Sequence, residues 1–237
     1  MENQPLTITD LAITPQINSN ETQIIFQRHC NYDRSLGDLL PKSKKIQKEL
    51  VKGYISNLDR KDLENTYFLF TSSTDQNKEF NRCLETTNIA MEIIKKLYQK
   101  KNLSLNHVIN LGPTSTYKTK IHKSKDLEEK LSDEGKEQIA DRAIHYINVL
   151  QKYAYYFHIK HPNSKLIIWN GTNYDFISAL VKQRILNLEN QDIVNVKNCG
   201  GISLIIDEAG EITANINDNI FPFNSQHNKP SQKQYQK

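Results

Sequence analysis

Long apolar runs are missing from this chain of 237 residues. Nothing approaches the ~18 consecutive apolar residues of a membrane-spanning helix, which argues against a helical membrane protein. Cysteine is scarce. Cys30, Cys83 and Cys199 lie far apart and form no C-x-x-C pair, so neither a zinc site nor a disulfide framework is indicated. An odd, sparse count fits a reducing compartment. The first 21 residues lack a basic segment followed by an apolar run, so no signal peptide is read. Together these absences predict a cytoplasmic protein with no membrane partner. A strong charge of one sign is missing too. The net charge of +4 is too mild to indicate nucleic acid. Aromatic residues are not interleaved with basic ones on any segment, so nucleic acid is not an expected partner.

What is present describes a folded α/β chain. A hydrophobic fraction of 37% lies above the regime of disorder, and the length suits one sizeable core. Residues 1–21 read as a flexible leader with little structure, 22–223 as one domain, and 224–237 as a disordered polar tail. Apolar runs at 22–27 (TQIIFQ), 66–71 (TYFLFT) and 165–169 (KLIIW) predict buried strands, and 106–111 a short one. Helical spacing marks 44–58, 82–100 and 176–188. In the second of these, Ile89, Ile93 and Leu97 form the expected apolar face. Ser132 is placed to cap another helix running to His158. Residues 202–207 and 211–216 read as a hairpin turned at Ala209-Gly210. Strands separated by long helices predict a three-layer αβα sandwich with a mainly parallel central sheet.

In such sheets ligands bind beyond the carboxyl ends of the strands, so the residues after each apolar run carry the functional argument. The first run leads into Gln27-Arg28-His29-Cys30-Asn31-Tyr32-Asp33-Arg34, the second into Thr71-Ser72-Ser73-Thr74 and then Arg82, the third into Trp169-Asn170-Gly171-Thr172-Asn173. Three strand ends thus deliver three arginines, a histidine and an amide. Arginine forks bind phosphoryl oxygens bidentately and stay charged at any working pH. A histidine among them is pushed toward its neutral form, freeing a ring nitrogen to attack phosphorus.

This set resembles the histidine phosphatase superfamily, with its phosphoglycerate-mutase-like and acid-phosphatase-like branches. Arg28-His29-Cys30 is similar to the family's Arg-His-Gly signature, and Arg34 sits where a second arginine follows. Ser72-Ser73-Thr74 through Arg82 resembles the serine-rich strand end and its arginine-led helix. Asn170-Gly171-Thr172-Asn173 resembles the third signature, and residues 200–206 the last strand. The resemblance implies His29 as nucleophile, and Arg28, Arg34, Arg82 and Asn170 as the phosphate clamp. It implies no metal or other cofactor.

The chain departs from the family pattern in four places. Asn170 stands where the resemblance expects a second histidine; a lost donor to developing charge commonly costs ~10²–10³ in rate. Cys30 replaces glycine, as an oxidisable thiol or an inert buried one. The stretch 75–81 lengthens the link to Arg82. No general acid is identified, with Asp126, Glu128 and Asp175 as candidates. Two functions stay open. One is a phosphomonoester hydrolase working through phosphohistidine at His29, with reduced activity. The other is an impaired pseudophosphatase that binds a phosphorylated small molecule or phosphoprotein. A mutase is a weaker third option. His158 and His161 are expected at the opposite edge of the sheet.

Overall fold

The structure, a computed structural model, describes residues 6–9, 17–33, 35, 38–56, 58–73, 81–114, 133–188 and 194–223. Arg34, Asp126, Glu128, most of the 112–125 loop, the link 75–80 and the tail 224–237 lie outside the described residues.

In chain order the strands are β1 (Leu6–Ile8), β2 (Thr22–Arg28), β3 (Tyr32–Asp33), β4 (Asp38–Leu39), β5 (Thr66–Ser73), β6 (Val108–Thr114), β7 (Lys165–Thr172), β8 (Val194–Val196), β9 (Gly201–Ile206), β10 (Ile212–Ile216) and β11 (Asn219–Phe223). The α-helices are α1 (Pro41–Ser56), α2 (Arg60–Glu64), α3 (Arg82–Lys100), α4 (Asp133–Lys160) and α5 (Tyr174–Leu180), the last running on into a π-helical turn, Val181–Ile185. Among the described residues no helix is long and apolar enough to cross a membrane.

Seven strands form the central sheet in the order β11-β10-β9-β2-β7-β5-β6. The four from β2 to β6 are parallel, and β9, β10 and β11 extend the sheet as an antiparallel meander. The fold is therefore a mixed α/β sandwich. β2 and β7 are buried along almost their whole length, which is why they read as unbroken apolar runs rather than alternating ones.

Connection direction sets the layers. From β2 through α1 and α2 to β5, and from β5 through α3 to β6, the chain steps toward one edge. From β6 through α4 it steps back to β7. Right-handed crossovers place helices from opposite steps on opposite faces. Accordingly Val51, Tyr54, Leu63, Ala90, Ile94 and Tyr98 pack with Ile25, Phe68, Phe70 and Trp169 on one face. Tyr146, Ile147, Phe157, Phe176 and Ile177 pack with Ile24, Phe26, Ile168 and Leu204 on the other.

Four details differ from the sequence reading. The leader contributes β1, which pairs in parallel with β8. The third strand continues through Asn170-Gly171-Thr172 instead of stopping at Trp169. On α3 the buried stripe is Cys83, Thr86, Thr87, Ala90, Met91, Ile94 and Tyr98, with Ile89, Ile93 and Leu97 only partly covered. The N-terminal half of the helix lies on the sheet through small residues and the C-terminal half through Met91, Ile94 and Tyr98. An added strand, β11, closes the edge beside β10.

Candidate anion-binding site

β2 and β7 are neighbours, yet the helix that follows β2 lies on one face and the helix that follows β7 on the other. Diverging connections of this kind favour a crevice beyond the carboxyl ends, at the topological switch point of the sheet. The His29 N–H still donates to Thr172 O at 3.0 Å, so the two strand ends stay in register up to the crevice.

A third element reaches the same place because of Gly171. A Cβ there would lie 2.3 Å from Thr87 Oγ1 and 2.5 Å from Cys83 O. The first turn of α3 is therefore seated directly on the end of β7. Cys30 N–H donates to Thr86 Oγ1 at 3.1 Å, tying the same turns to the end of β2. Asn81 caps α3 by accepting from Leu84 N–H at 3.1 Å, and Arg82 opens the helix beside β2.

His29 is buried, 5% exposed. Its Nδ1 lies 2.9 Å from Cys30 O. A carbonyl only accepts, so Nδ1 carries a proton and Nε2 is the ring nitrogen turned away from this bond. Tyr32 joins His29 to Arg82. Its ring meets the His29 ring edge-on at 6.2 Å, and the Arg82 guanidinium lies over that ring at 4.4 Å.

Arg28 is half-buried. Its guanidinium donates to Val196 O and lies 5.2 Å from the centre of the Tyr174 ring. Among the described residues its buried Nε has no hydrogen-bond partner, nor has Thr172 Oγ1 at the paired register position. Burial pulls the Arg28 pKa down; Tyr174 and Asp175 oppose this, while the charge of Arg82 adds to it. Burial also raises Asp175 above the ordinary carboxylate range, against the opposing pull of Arg28.

Beneath the site lies a buried amide network. Gln27 and Gln47 exchange reciprocal hydrogen bonds of 2.7 and 2.9 Å. Gln27 Oε1 also accepts from Trp169 Nε1 at 2.9 Å, Gln27 Nε2 donates to Cys199 O at 3.1 Å, and Gln47 Nε2 to Thr86 O at 3.2 Å. The network fixes β2 against α1, α3, β7 and the 197–200 turn.

Of the expected residues, the structure brings Arg28, His29 and Arg82 together. Asn170 lies inside β7, two positions before its end. That side chain lies between Phe26 and Thr71 in register, is wholly buried, and donates through Nδ2 to Tyr146 Oη at 2.9 Å. The amide at the strand end belongs to Asn173, whose Oδ1 is 3.5 Å from Cys83 Sγ. Sequence reasoning missed Asn173 because it ended the strand too early. It also passed over Tyr32 and Tyr174, although an aromatic four residues after the strand-end Arg28 and another two residues after the end of β7 are usable signals.

The cysteine reading needs correction. Cys30 and Cys199 are joined by a disulfide, with Cα atoms 4.6 Å apart and a sequence separation of 169. Pairing of β2 with β9 puts Gln27 opposite Gly201 and carries the two cysteines together, a proximity no spacing rule reveals.

His158 and His161 lie at the opposite end of the sheet. His158 Nε2 is 2.9 Å from Thr22 Oγ1, at the start of β2. A cleft of about 940 Å³ opens there, but it sets Lys152 against Asp207 and Glu208, the wrong charge balance for an anion.

No family model matches the chain, and no curated protein matches it. Solved structures similar to it include phosphoglycerate mutase from Bacillus anthracis str. Sterne, 13% identical, covering 84% of this chain and 93% of that one with a TM-score of 0.49. Another is a variant of phosphoserine phosphatase from Entamoeba histolytica in complex with phosphoserine, 14% identical, with coverages of 87% and 98% and a TM-score of 0.44. A third is mycobacterial hydrolase 1, 9% identical, with coverages of 83% and 97% and a TM-score of 0.45.

Proposed function

We propose that the crevice between β2 and β7 binds a phosphoryl group and that the chain is a phosphomonoester hydrolase working through a phosphohistidine at His29. One observation carries this reading: a buried histidine, its Nδ1–H donated to Cys30 O, shares a strand end with Arg28 and meets the Tyr32 ring on which Arg82 lies. Arg28 and Arg82 repel each other, and a bound dianion would convert that cost into attraction. Arg28 Nε and the Thr172 hydroxyl, unpartnered among the described residues, are the donors such an anion would satisfy.

In this reading Nε2 attacks phosphorus, the arginines hold the equatorial oxygens, and water later hydrolyses the phosphohistidine. Arg34 would join the clamp. Asp175, on the first turn of α5 and with its pKa raised by burial, is the acid best placed to serve the leaving oxygen. Asn173 supplies a neutral donor where a cation would serve better, so turnover is slow, by ~10²–10³ relative to a fully charged clamp.

A second reading has its own support. Arg28 is already engaged with Val196 O and the Tyr174 ring. Such a site suits holding a phosphorylated small molecule or phosphoprotein without turnover. Hydrolysis of an aryl phosphate by the natural chain, His29→Ala and Arg82→Ala separates the two. The hydrolase reading expects turnover abolished by His29→Ala, with acid-labile phosphate trapped on the natural chain. Phosphate binding that weakens with Arg82→Ala but no turnover in any form would establish the binding module instead.

A further inference from the structure

The strand end that carries Arg28 and His29 is fastened to one short turn, residues 197–200 with the flanking Val196. Arg28 N–H donates to Gly200 O at 2.8 Å, the Arg28 guanidinium donates to Val196 O, and Gln27 Nε2 donates to Cys199 O. The fourth fastening is covalent, between Cys30 and Cys199. Cys199 itself holds φ at +64°, a backbone region that non-glycine residues occupy only when their surroundings impose it. The disulfide thus joins the residue after the proposed nucleophile to a turn that would not otherwise favour this shape.

We infer that Cys30–Cys199 is a redox-modification site that sets the anion affinity of the crevice: the bond holds the turn against Arg28, and its reduction loosens both. This rests on the phosphate-binding reading given above.

The reductant is a dithiol. Its thiolate attacks one protein sulfur to give a mixed disulfide. Its second thiolate then displaces the remaining protein sulfur and closes a cyclic disulfide. Two electrons pass from the dithiol to the protein, and its two thiol protons end on Cys30 and Cys199. An excess of oxidised dithiol reverses the exchange.

Both sulfurs are buried, with Cys30 at 0% and Cys199 at 3% exposure, so exchange requires the turn to open. An anion bound between Arg28 and His29 opposes that opening. By linkage, the factor by which phosphate protects the bond equals the factor by which reduction weakens phosphate binding.

The test uses the full chain, oxidised and after dithiothreitol. Thiols are counted under denaturing conditions, and inorganic phosphate affinity is measured by calorimetry. With Cys83 outside the disulfide and three cysteines in all, the count should rise from one to three. Affinity should fall by roughly ten-fold, within the usual range of coupling between sites. Saturating phosphate should slow reduction, and Cys199→Ser should match the reduced chain and ignore dithiothreitol. Circular dichroism on each form keeps loss of fold separate from loss of coupling. Equal affinity in both states overturns this inference and leaves the phosphate site standing. No phosphate binding in either state overturns both. Three thiols in the air-oxidised chain overturn the modification site itself.

Discussion

Replacing Gly171 by alanine tests how the site is assembled. The added Cβ would sit 2.3 Å from Thr87 Oγ1 and 2.5 Å from Cys83 O, with Cys83 C at 3.2 Å. The hydroxyl can rotate away; the carbonyl belongs to the first turn of α3 and moves only if the helix moves. Overpacking typically costs about 1–3 kcal/mol, and a backbone obstacle places this case at the upper end, about 3 kcal/mol. For a chain of this size that corresponds to a fall in Tm of about 6–12 °C. The same shift would carry Arg82 away from Tyr32 and weaken phosphate binding. Urea unfolding of Gly171→Ala, Thr87→Ala and the double variant reads the effect. Thr87→Ala removes the hydroxyl obstacle but leaves the carbonyl, so the double variant should recover less than half of the loss. A Gly171→Ala protein within about 0.5 kcal/mol of the natural chain, the range of ordinary surface substitutions, would refute the close seating of α3 on β7.

Three further outcomes are expected. Gln47→Leu should cost about 1–3 kcal/mol, because Thr86 O and the Gln27 amide lose a buried partner; a neutral result in urea unfolding would show the amide network to be dispensable. Asn170→Leu should alter stability while leaving phosphate affinity within two-fold, since the side chain serves Tyr146 in the core; a large change in affinity with unchanged stability would return Asn170 to the site. Burial, with a smaller contribution from His161, holds His107 and His158 below the ordinary imidazole value of 6.5. The unfolded chain therefore takes up protons before the folded one, and stability falls as pH drops below 6.5 and levels off once the folded rings titrate. Urea midpoints at pH 8, 6 and 5 should decline, and less so in His158→Gln; an equal decline in both would assign the loss to other groups.

The fold was largely legible because the buried strands announce themselves. β2, β5 and β7 are continuous apolar runs, and their order with the intervening helices dictates the layers. Boundaries were the weak point. Trp169 looks like a strand's end because Asn170 and Gly171 are poor strand formers. Yet Asn170 finds Tyr146 as a partner, and Gly171 is required by the approach of α3. That difference of three residues leaves Asn170 inside the strand and Asn173 beyond its end. On α3, aliphatic spacing pointed to Ile89, Ile93 and Leu97. Close packing on the sheet instead selects the face with Thr86, Thr87 and Ala90, where bulk would be excluded. The Cys30–Cys199 pair was hidden for a different reason, since it depends on β9 returning beside β2 late in the chain.

The amide network under the site has a consequence for synthesis. It joins Gln27 to Cys199 across 172 positions and to Trp169 across 142. At ~5–20 residues per second, Gln27 waits about 9–35 s for Cys199 to be made. Through that interval the β2 amide has no completed set of partners, and no nascent chain ending before Trp169 can assemble them. Apolar collapse around β2 and β5 can begin early, but the crevice that holds Arg28 and His29 is among the last features to exist on the ribosome.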